Sequence, residues 1–390
     1  MTAVFFVHGL LLASWVAHIP QVKANLGIGL GMLGIVLLGA PIGSILAMSS
    51  AGYLVPRIGS RRVLRVGMIG YCLVGSLLGV AGSLVAFVVV YMLWGVFQGI
   101  LEVAMNTQGV AAERVERRPV MPTFHGSWSL GALAGAFTGT VAVAMGVPLA
   151  SQLLVLGVVS LAVLSVMTRR LLSEDRLDPP QDSAATTRPA KVRRWWTAAL
   201  LILCVVALAD MLCEGAAADW SAVYLRSSFH STGVVVGLAY TLYLLAMVVT
   251  RFAGSRLVAR WPKERVLPAL TAQATLGFAA GLIVHNAAVM LIAFACLGVG
   301  CALVIPTTYS TVGQMASENP GRGVALVSGI GWVGFVAGPA FIGQIASITS
   351  LRIALITLPV LTALVTLLLL STGALTTNSR AQIAQIPTEV

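Results

Sequence analysis

The sequence predicts an all-α membrane protein in which 12 transmembrane helices form two pseudo-symmetric six-helix bundles. Of its 390 residues, 58% are hydrophobic and only 9% are charged, and the mean hydropathy is +0.94. A soluble domain carries about 25% charged residues, so the composition excludes that class. Apolar runs of roughly 20 residues, the length that crosses the hydrocarbon core as a helix, recur along the chain. An internal sequence repeat divides these runs into two sets of six.

Each of the twelve apolar runs is interpreted as one membrane crossing. The first run begins at Met1 and has neither the basic segment nor the cleavage site of a signal peptide, so it is taken as the first span. The short alternating strands of a membrane barrel do not occur in the sequence. The predicted spans one to twelve cover residues 1–21, 30–55, 63–82, 84–112, 120–146, 148–170, 195–224, 232–257, 266–284, 287–312, 322–346 and 351–372.

The basic residues lie mainly on one side of the predicted spans. If the N-terminus lies inside, the joins on the inner side and the C-terminal tail together contain 20 of the 24 Lys and Arg residues. Arg251 is assigned to the inner end of span eight. The opposite joins contain only Lys23, Arg226 and Arg352. Cytoplasmic loops are enriched in Lys and Arg, so both termini are predicted to be cytoplasmic. The net charge of +11 follows from this topology, and no nucleic-acid partner is expected.

One long polar stretch separates the sixth span from the seventh. Residues 173–194, SEDRLDPPQDSAATTRPAKVRR, are rich in Pro, Ser, Thr and charge, which is typical of a flexible linker. The predicted organisation is an N-terminal bundle at 1–172, a cytoplasmic linker at 173–194, a C-terminal bundle at 195–372 and a cytoplasmic tail at 373–390.

The two halves match in sequence at a constant offset of 203 residues. The segments LVPRIGSRRVL (54–64) and LVARWPKERVL (257–267) agree at six of eleven positions. Six spans in each half give both copies the same orientation, which is a parallel repeat. Two such bundles enclose a central cavity, and rocking about it gives alternating access. The same offset pairs Gly95 with Gly298, Gly126 with Gly329, Gly131 with Gly334 and Gly135 with Gly338.

The segment GYLVPRIGSRR at 52–62 resembles the signature loop between helices two and three of the major facilitator superfamily. That loop contains a glycine, then Asp-Arg, and then a glycine followed by two basic residues. The resemblance covers nearly the whole chain and implies a transporter of a small molecule with an inner gate. In the family the Asp helps to latch that gate. Pro56 stands at its position, so the resemblance does not imply the usual charge latch in this half. The basic residues assigned to gating are Arg57, Arg61, Arg62 and Arg260.

Three further segments resemble particular branches of this superfamily. LEVAMN (101–106) is similar to the helix-four motif of fucose-permease-type proton symporters, in which Glu and Asn also stand four residues apart. HGSWSLGALAGA (125–136) and EGAAADW (214–220) resemble bacterial inner-membrane transporters with no settled substrate. The resemblance therefore implies proton coupling and a location in the bacterial inner membrane.

Span one departs from the fucose-permease pattern. Those proteins carry an Asp four residues before a Pro in helix one, and counting back from Pro20 gives Val16. Fucose specificity is therefore not implied. The remaining polar or aromatic candidates in this span are Ser14, Trp15 and His18, of which Trp15 is assigned to the substrate cavity.

Glu102 is the predicted centre of proton coupling. It lies about ten residues, roughly 15 Å, from the cytoplasmic end of span four, which is near mid-membrane. A charged residue there costs about 2.5–3.5 kcal/mol on insertion scales, so it usually faces protein or water and has a function. A carboxyl group that is neutral when shielded and ionised when wetted can carry a proton through alternating access. The alternative is a protonated Glu that ties helices together, but the equivalent position in the second half is Ile305.

Four neighbours of Glu102 are candidates to line the cavity. Gln98 and Asn106 lie one helical turn to either side of it, and a hairpin of spans four and five sets His125 level with Asn106. His125 could relay protons or bind solute, and Trp128 could stack on a flat solute. The alternatives are a backbone-bonded His and a packing Trp.

Span seven contributes a second acidic group. Asp210 and Glu214 are four residues apart on one helical face, and two such carboxylates in low dielectric would share one proton. The pair could couple protons or bind a cationic group, or else bond to Ser and Thr hydroxyls. Asp219 could be a gate or a helix-end cap. Tyr240 and Tyr243 in span eight could line the cavity or pack.

These residues predict a proton-coupled secondary transporter for a small polar solute, for example a sugar-like one, acting as a monomer in the lipid bilayer. Proton-driven export of drugs or metabolites is the first alternative, although GPAFIG (338–343), which resembles an antiporter motif, lies in helix eleven and not in helix five. A membrane receptor or scaffold is a second alternative. No nucleophile–base set indicates an enzyme, and no nucleotide, cofactor or metal-binding motif occurs. The five cysteines are interpreted as packing residues.

Overall fold

The computed structural model describes residues 1–116, 121–167, 198–315, 320–372 and 375. The predicted linker at 173–194 and nearly all of the predicted tail at 373–390 lie outside these residues. Within the described ranges the chain is helical and contains no strand. Twelve helical segments are long and apolar enough to cross a membrane, which confirms the predicted fold class.

The spans keep their numbers from one to twelve. Five of them, spans one, two, three, ten and twelve, consist of more than one helical piece. In order, the helices are Thr2–Ser14 with Val16–His18 and Ile19–Leu26, Leu30–Val36 with Gly39–Ile58, Ser60–Leu77 with Leu78–Val80, Leu84–Glu116, Met121–Ala144, Leu149–Met167, Ala198–Phe229, Val234–Arg260, Lys263–Val284, Ala287–Cys301 with Val304–Met315, Pro320–Ile348, and Leu351–Ala354 with Thr357–Thr372.

One pair of glycines at the 203-residue offset makes equivalent contacts in the two halves. Gly95 of span four packs against the backbone of Ala40 in span two, and Gly298 of span ten packs against Tyr243 in span eight. Ala40 and Tyr243 are themselves 203 residues apart. A side chain at either glycine would clash with the facing backbone, so the small residue sets the approach of the two helices. At this pair of sites, the repeat found in sequence is also a repeat of helix packing.

Span one is interrupted between Ser14 and Ile19. The N–H of His18 donates to the Trp15 carbonyl in a short 3₁₀ turn, which leaves the Ser14 carbonyl outside the α-helical pattern. Gln152 of span six donates its Nε2 to that carbonyl at 2.8 Å. A neighbouring helix in the same half therefore stabilises the break.

Span ten is interrupted at Ala302 and Leu303, just before Pro306. Proline has no N–H, so Pro306 cannot donate to the carbonyl of Ala302 four residues earlier. Arg251 of span eight donates its Nε to this carbonyl at 3.1 Å. The basic residue assigned only to topology is therefore part of the interior of the C-terminal half.

Candidate functional site

The two halves contact each other at the end of the bundle predicted to face outward. Gln344 in span eleven donates its Nε2 to the Gly31 carbonyl in span two at 3.2 Å. The hydroxyl groups of Thr140 in span five and Thr241 in span eight are 3.1 Å apart. These pairs join spans two and five of one half to spans eleven and eight of the other, and the candidate residues lie deeper along the same interface.

Glu102 lies within the uninterrupted helix of span four and is half-buried. Asn106, one turn along the same face, donates its Nδ2 to the Glu102 backbone carbonyl at 2.9 Å. Among the described residues, no hydrogen bond joins the Glu102 carboxyl group to another helix. The described residues therefore give no support to the alternative that this carboxyl group ties two helices together. Gln98, one turn away in the other direction, is buried.

Trp128 is held by a residue that the sequence analysis missed. Its indole Nε1 donates to His8 Nδ1 of span one at 2.8 Å, so the neutral His8 ring carries its proton on Nε2. His8 is 3% exposed, and its ring lies 5.3 Å from that of Tyr71. Tyr71 is in turn within electrostatic range of Glu102. The polar character of His8 within a mostly apolar span was the only sequence signal for this residue.

His125 lies at the edge of this buried group, within electrostatic range of His8 and of Arg251. Its side chain is exposed, and its ring contacts Phe5 edge-to-face with centroids 5.3 Å apart. The His125 backbone carbonyl accepts a hydrogen bond from Ser129 Oγ at 3.2 Å. The structure thus brings Trp128 and His8 together, whereas His125 lies on the edge of the site.

Asp210 and Glu214 lie close enough in span seven to interact electrostatically. Asp210 is 4% exposed and has the Cys301 thiol beside it, whereas Glu214 is half-buried. Within the described part of the chain, the Oδ2 atom of Asp210 and the hydroxyl of Tyr243 have no hydrogen-bond partner. Tyr243 is within electrostatic range of both carboxyl groups. The acidic pair therefore lies near the buried Tyr243 hydroxyl, which can still form a hydrogen bond.

Arg251 is the cation of this site. Besides its bond to Ala302, its guanidinium group donates to Ser129 Oγ in span five at 3.3 Å, a contact between the two halves. It also lies within electrostatic range of Asp210 and Glu214. Its position near the inner end of span eight concealed this role in the sequence, because the rotation of a helix decides which way a side chain points.

Tyr240 and Asp219 extend the site toward the predicted outer side. The Tyr240 ring stacks on Tyr243 with centroids 5.9 Å apart, and Tyr240 is within electrostatic range of Asp219. Asp219 also lies within electrostatic range of Tyr91 from the other half. Span seven continues to Phe229, so Asp219 does not cap the helix end, which was one of the two interpretations of this residue.

Trp15 is packed inside the N-terminal half. It is 3% exposed, and its ring lies 5.0 Å from Tyr91 and 6.4 Å from Trp94. Trp94 stacks on Tyr71 and donates its Nε1 to the Tyr71 carbonyl at 2.9 Å. These aromatic residues form one continuous cluster, so Trp15 packs within the N-terminal half behind the candidate site.

The four arginines assigned to gating lie at the predicted inner ends of spans two, three and eight. Three of them are exposed and Arg61 is half-buried, which agrees with a position at the membrane surface. Nearby, Gln108 donates its Nε2 to Ser60 Oγ at 2.8 Å and joins span four to the start of span three. The exposed three are Arg57, Arg62 and Arg260.

The described residues contain no group of three or more His, Cys, Asp or Glu side chains that could hold a metal ion. The five cysteines are free thiols, and four of them are buried. The chemistry of the site therefore comes from carboxyl groups, a guanidinium group, phenols and an imidazole.

The model of the Major Facilitator Superfamily matches residues 1–216 and 203–387. An uncharacterised MFS-type transporter of Yersinia pestis is 30% identical over 350 residues, which cover 90% of this chain and 89% of that protein. The membrane protein MosC of Rhizobium meliloti is 30% identical over 357 residues, covering 90% and 84% of the two chains.

Solved transporters share the fold at low sequence identity. The D-xylose-proton symporter superposes with a TM-score of 0.72 at 13% identity, covering 95% of this chain and 96% of that one. The nucleoside transporter NupG gives a TM-score of 0.70 at 11% identity, covering 96% and 97%. These structures share the architecture described above, and the family match extends across both halves. The chain therefore belongs to the Major Facilitator Superfamily.

Proposed function

We propose that this transporter moves a small polar, sugar-like solute across the bacterial inner membrane by alternating access coupled to protons. The observation that carries the proposal is the environment of Glu102. A half-buried carboxyl group lies in the middle of an uninterrupted span, and no described residue of another helix binds it. An ionisable residue at such a depth is expensive, which favours a functional role.

In the proposed cycle, one carboxyl group is neutral when it is shielded from water and ionised when water reaches it. Glu102 binds a proton when the cavity is open to the side of higher proton concentration, and the neutral form crosses the closed state with the solute. Opening to the other side wets the carboxyl group and releases the proton. Asp210 and Glu214 form a second acidic site in the opposite half, where they share one proton.

The solute is proposed to bind between the halves, among side chains that both contribute. Gln98, Asn106 and Trp128 lie on the N-terminal side, and Tyr240 and Tyr243 lie on the C-terminal side. Amides and phenols donate and accept hydrogen bonds, and aromatic faces suit the apolar face of a sugar ring. His125 is proposed to relay protons or bind solute at the exposed edge of the cavity.

Gating is proposed to depend on the two ends of the interface. Arg57, Arg61, Arg62 and Arg260 would act at the inner end, where basic residues meet the cytoplasm if both termini lie inside. Asp219 would act toward the outer side, where it approaches Tyr91 of the other half. The protein is proposed to work as a monomer, since one chain supplies both halves of the cavity.

Transport in proteoliposomes tests this function. The purified chain is first screened by thermal shift against pentoses, hexoses and nucleosides, because structural relatives include a xylose symporter and a nucleoside transporter. The stabilising solute is then followed as a radiolabel with and without an imposed proton gradient.

The expected result is accumulation of the labelled solute on the side toward which protons flow. Movement against the proton flow would instead support the export hypothesis. Folded protein that binds a solute but gives no flux in either direction would contradict transport and favour a receptor.

A further inference from the structure

The guanidinium group of Arg251 is fixed inside the C-terminal half. The Ala302 carbonyl lacks an intrahelical donor because Pro306 has no N–H, and Arg251 Nε supplies one at 3.1 Å. Moving Arg251 away would leave a backbone carbonyl unpaired in the membrane, which is costly. The positive charge is therefore a constant feature of the site.

The same region contains two carboxyl groups. Asp210 and Glu214 share a helical face and interact electrostatically. Two like charges so close do not both ionise in low dielectric, so we assign the pair one shared proton. Arg251 lies within electrostatic range of both carboxyl groups. One proton-sharing acidic pair and one arginine together have a net charge of zero.

Two buried polar atoms at this site are also free to bind. Asp210 Oδ2 and the Tyr243 hydroxyl have no hydrogen-bond partner in the described part of the chain, although each residue is less than a tenth exposed. A buried polar atom without a partner costs free energy, so such atoms mark places where another group binds. Asp210 Oδ2 can accept a hydrogen bond, and the tyrosine hydroxyl can donate or accept one.

We propose that Arg251 is the fixed counter-charge of the Asp210–Glu214 pair, so that this half-site selects an uncharged, hydroxyl-bearing solute and rejects organic cations. A solute hydroxyl would donate to Asp210 Oδ2 and accept from the Tyr243 hydroxyl. The inference rests on the proposed transport function and specifies the charge of its solute. It assigns Arg251 a role in specificity, and it opposes the idea that the acidic pair attracts cationic compounds.

Equilibrium binding of a small cation to the purified full-length chain tests this proposal. The probe is choline, measured at constant ionic strength in detergent with wild type, Arg251→Gln, and the triple variant Asp210→Asn, Glu214→Gln, Arg251→Gln. Glutamine keeps an N–H donor for the Ala302 carbonyl but removes the charge.

Arg251→Gln is expected to bind choline at least about tenfold more tightly than wild type, the lower end of the effect of a full charge 4–6 Å away. The triple variant, which lacks both signs of charge, should return to the wild-type value. Equal choline binding by wild type and Arg251→Gln would overturn the proposal, and so would a gain that persists in the triple variant.

A complementary pair of variants keeps the test decisive if Arg251→Gln does not fold. Asp210→Asn with Glu214→Gln leaves the arginine uncompensated, so this chain should bind gluconate about tenfold more tightly than wild type does. Unchanged gluconate binding would contradict the counter-charge role. Because these measurements need neither a membrane nor a gradient, their failure is distinct from a failure of transport.

Discussion

One helix break in each half of the molecule is closed by a side chain, and the two side chains differ in chemistry. In the N-terminal half, the amide of Gln152 donates to the Ser14 carbonyl at 2.8 Å, and both residues belong to that half. In the C-terminal half, Arg251 donates to the Ala302 carbonyl and also reaches Ser129 of the opposite half. One half uses a neutral donor and the other a cation. The two breaks lie at positions that the 203-residue repeat does not pair, so each half has its own break and its own donor.

The two halves also differ at the position of the proposed coupling residue. Glu102 lies in an unbroken helix, whereas its equivalent, Ile305, follows directly after the break in span ten. If packing required a polar group at this depth, both halves would carry one. The difference separates features required by the fold from features that belong to function.

The largest effect on stability is predicted for the glycines at which two helices pack closely. Gly95→Val and Gly298→Val each push a side chain into the backbone of the facing helix. Each should destabilise the protein by about 3 kcal/mol, the upper end of the cost of overpacking. Thermal unfolding in detergent measures it. Gly126→Ala and Gly329→Ala are matched controls, because nothing lies within 4 Å of a Cβ at either site. A large loss in only one of the two halves would contradict equivalent packing.

Removal of the neutral donor tests the break in span one. Gln152→Leu leaves the buried Ser14 carbonyl without its donor and also removes the 2.6 Å hydrogen bond between Gln152 Oε1 and His18 Nε2, and the expected cost is about 2 kcal/mol. Thr275→Val is the control, since it also removes a hydrogen bond between helices, but its partner Thr362 keeps a bond to the Leu358 carbonyl. That control should cost about 0.6 kcal/mol, the average for such bonds in membranes. Equal losses in the two variants would show that the unpaired carbonyl carries no special cost.

The contact between Trp128 and His8 predicts a smaller effect. Trp128→Phe keeps an aromatic ring but removes the donor to His8 Nδ1, so stability should fall by about 1 kcal/mol. Trp332→Phe changes an exposed ring and should leave the melting temperature nearly unchanged. If both variants melt like wild type, the hydrogen bond does not hold His8 in place.

The smallest effect on stability is predicted for the coupling residue itself. Glu102→Leu should change stability by less than about 0.6 kcal/mol, because no described hydrogen bond to another helix is lost. The melting temperature of this variant should match wild type while proton coupling disappears. A large loss of stability would indicate that Glu102 is a structural residue.

The fold was largely predictable from the sequence, because span length and composition are properties of single segments. Twelve spans and the 203-residue repeat follow from apolar runs and matched motifs. The helix breaks were missed, although Pro20 and Pro306 both mark places where a backbone N–H is absent. Span seven was predicted to end at residue 224 but continues to Phe229, which changes the position of Asp219 within its helix.

The site was less predictable, because it depends on how helices rotate and pack against each other. Spacing along one helix placed Asn106 beside Glu102, and the structure agrees. Contacts between helices, such as that of Trp128 with His8, have no signature in spacing. Arg251 was assigned to the membrane edge by its position in the sequence, and only the break in span ten explains why its side chain turns inward.

Proton coupling through Glu102 is tested most directly by comparing two kinds of flux in the same proteoliposomes. Wild type and Glu102→Gln are assayed for accumulation driven by a proton gradient and for exchange of labelled against unlabelled solute without a gradient. The account predicts that Glu102→Gln loses gradient-driven accumulation but still exchanges solute, because the neutral amide imitates the protonated carboxyl group. Gradient-driven accumulation at the wild-type level in Glu102→Gln would contradict it.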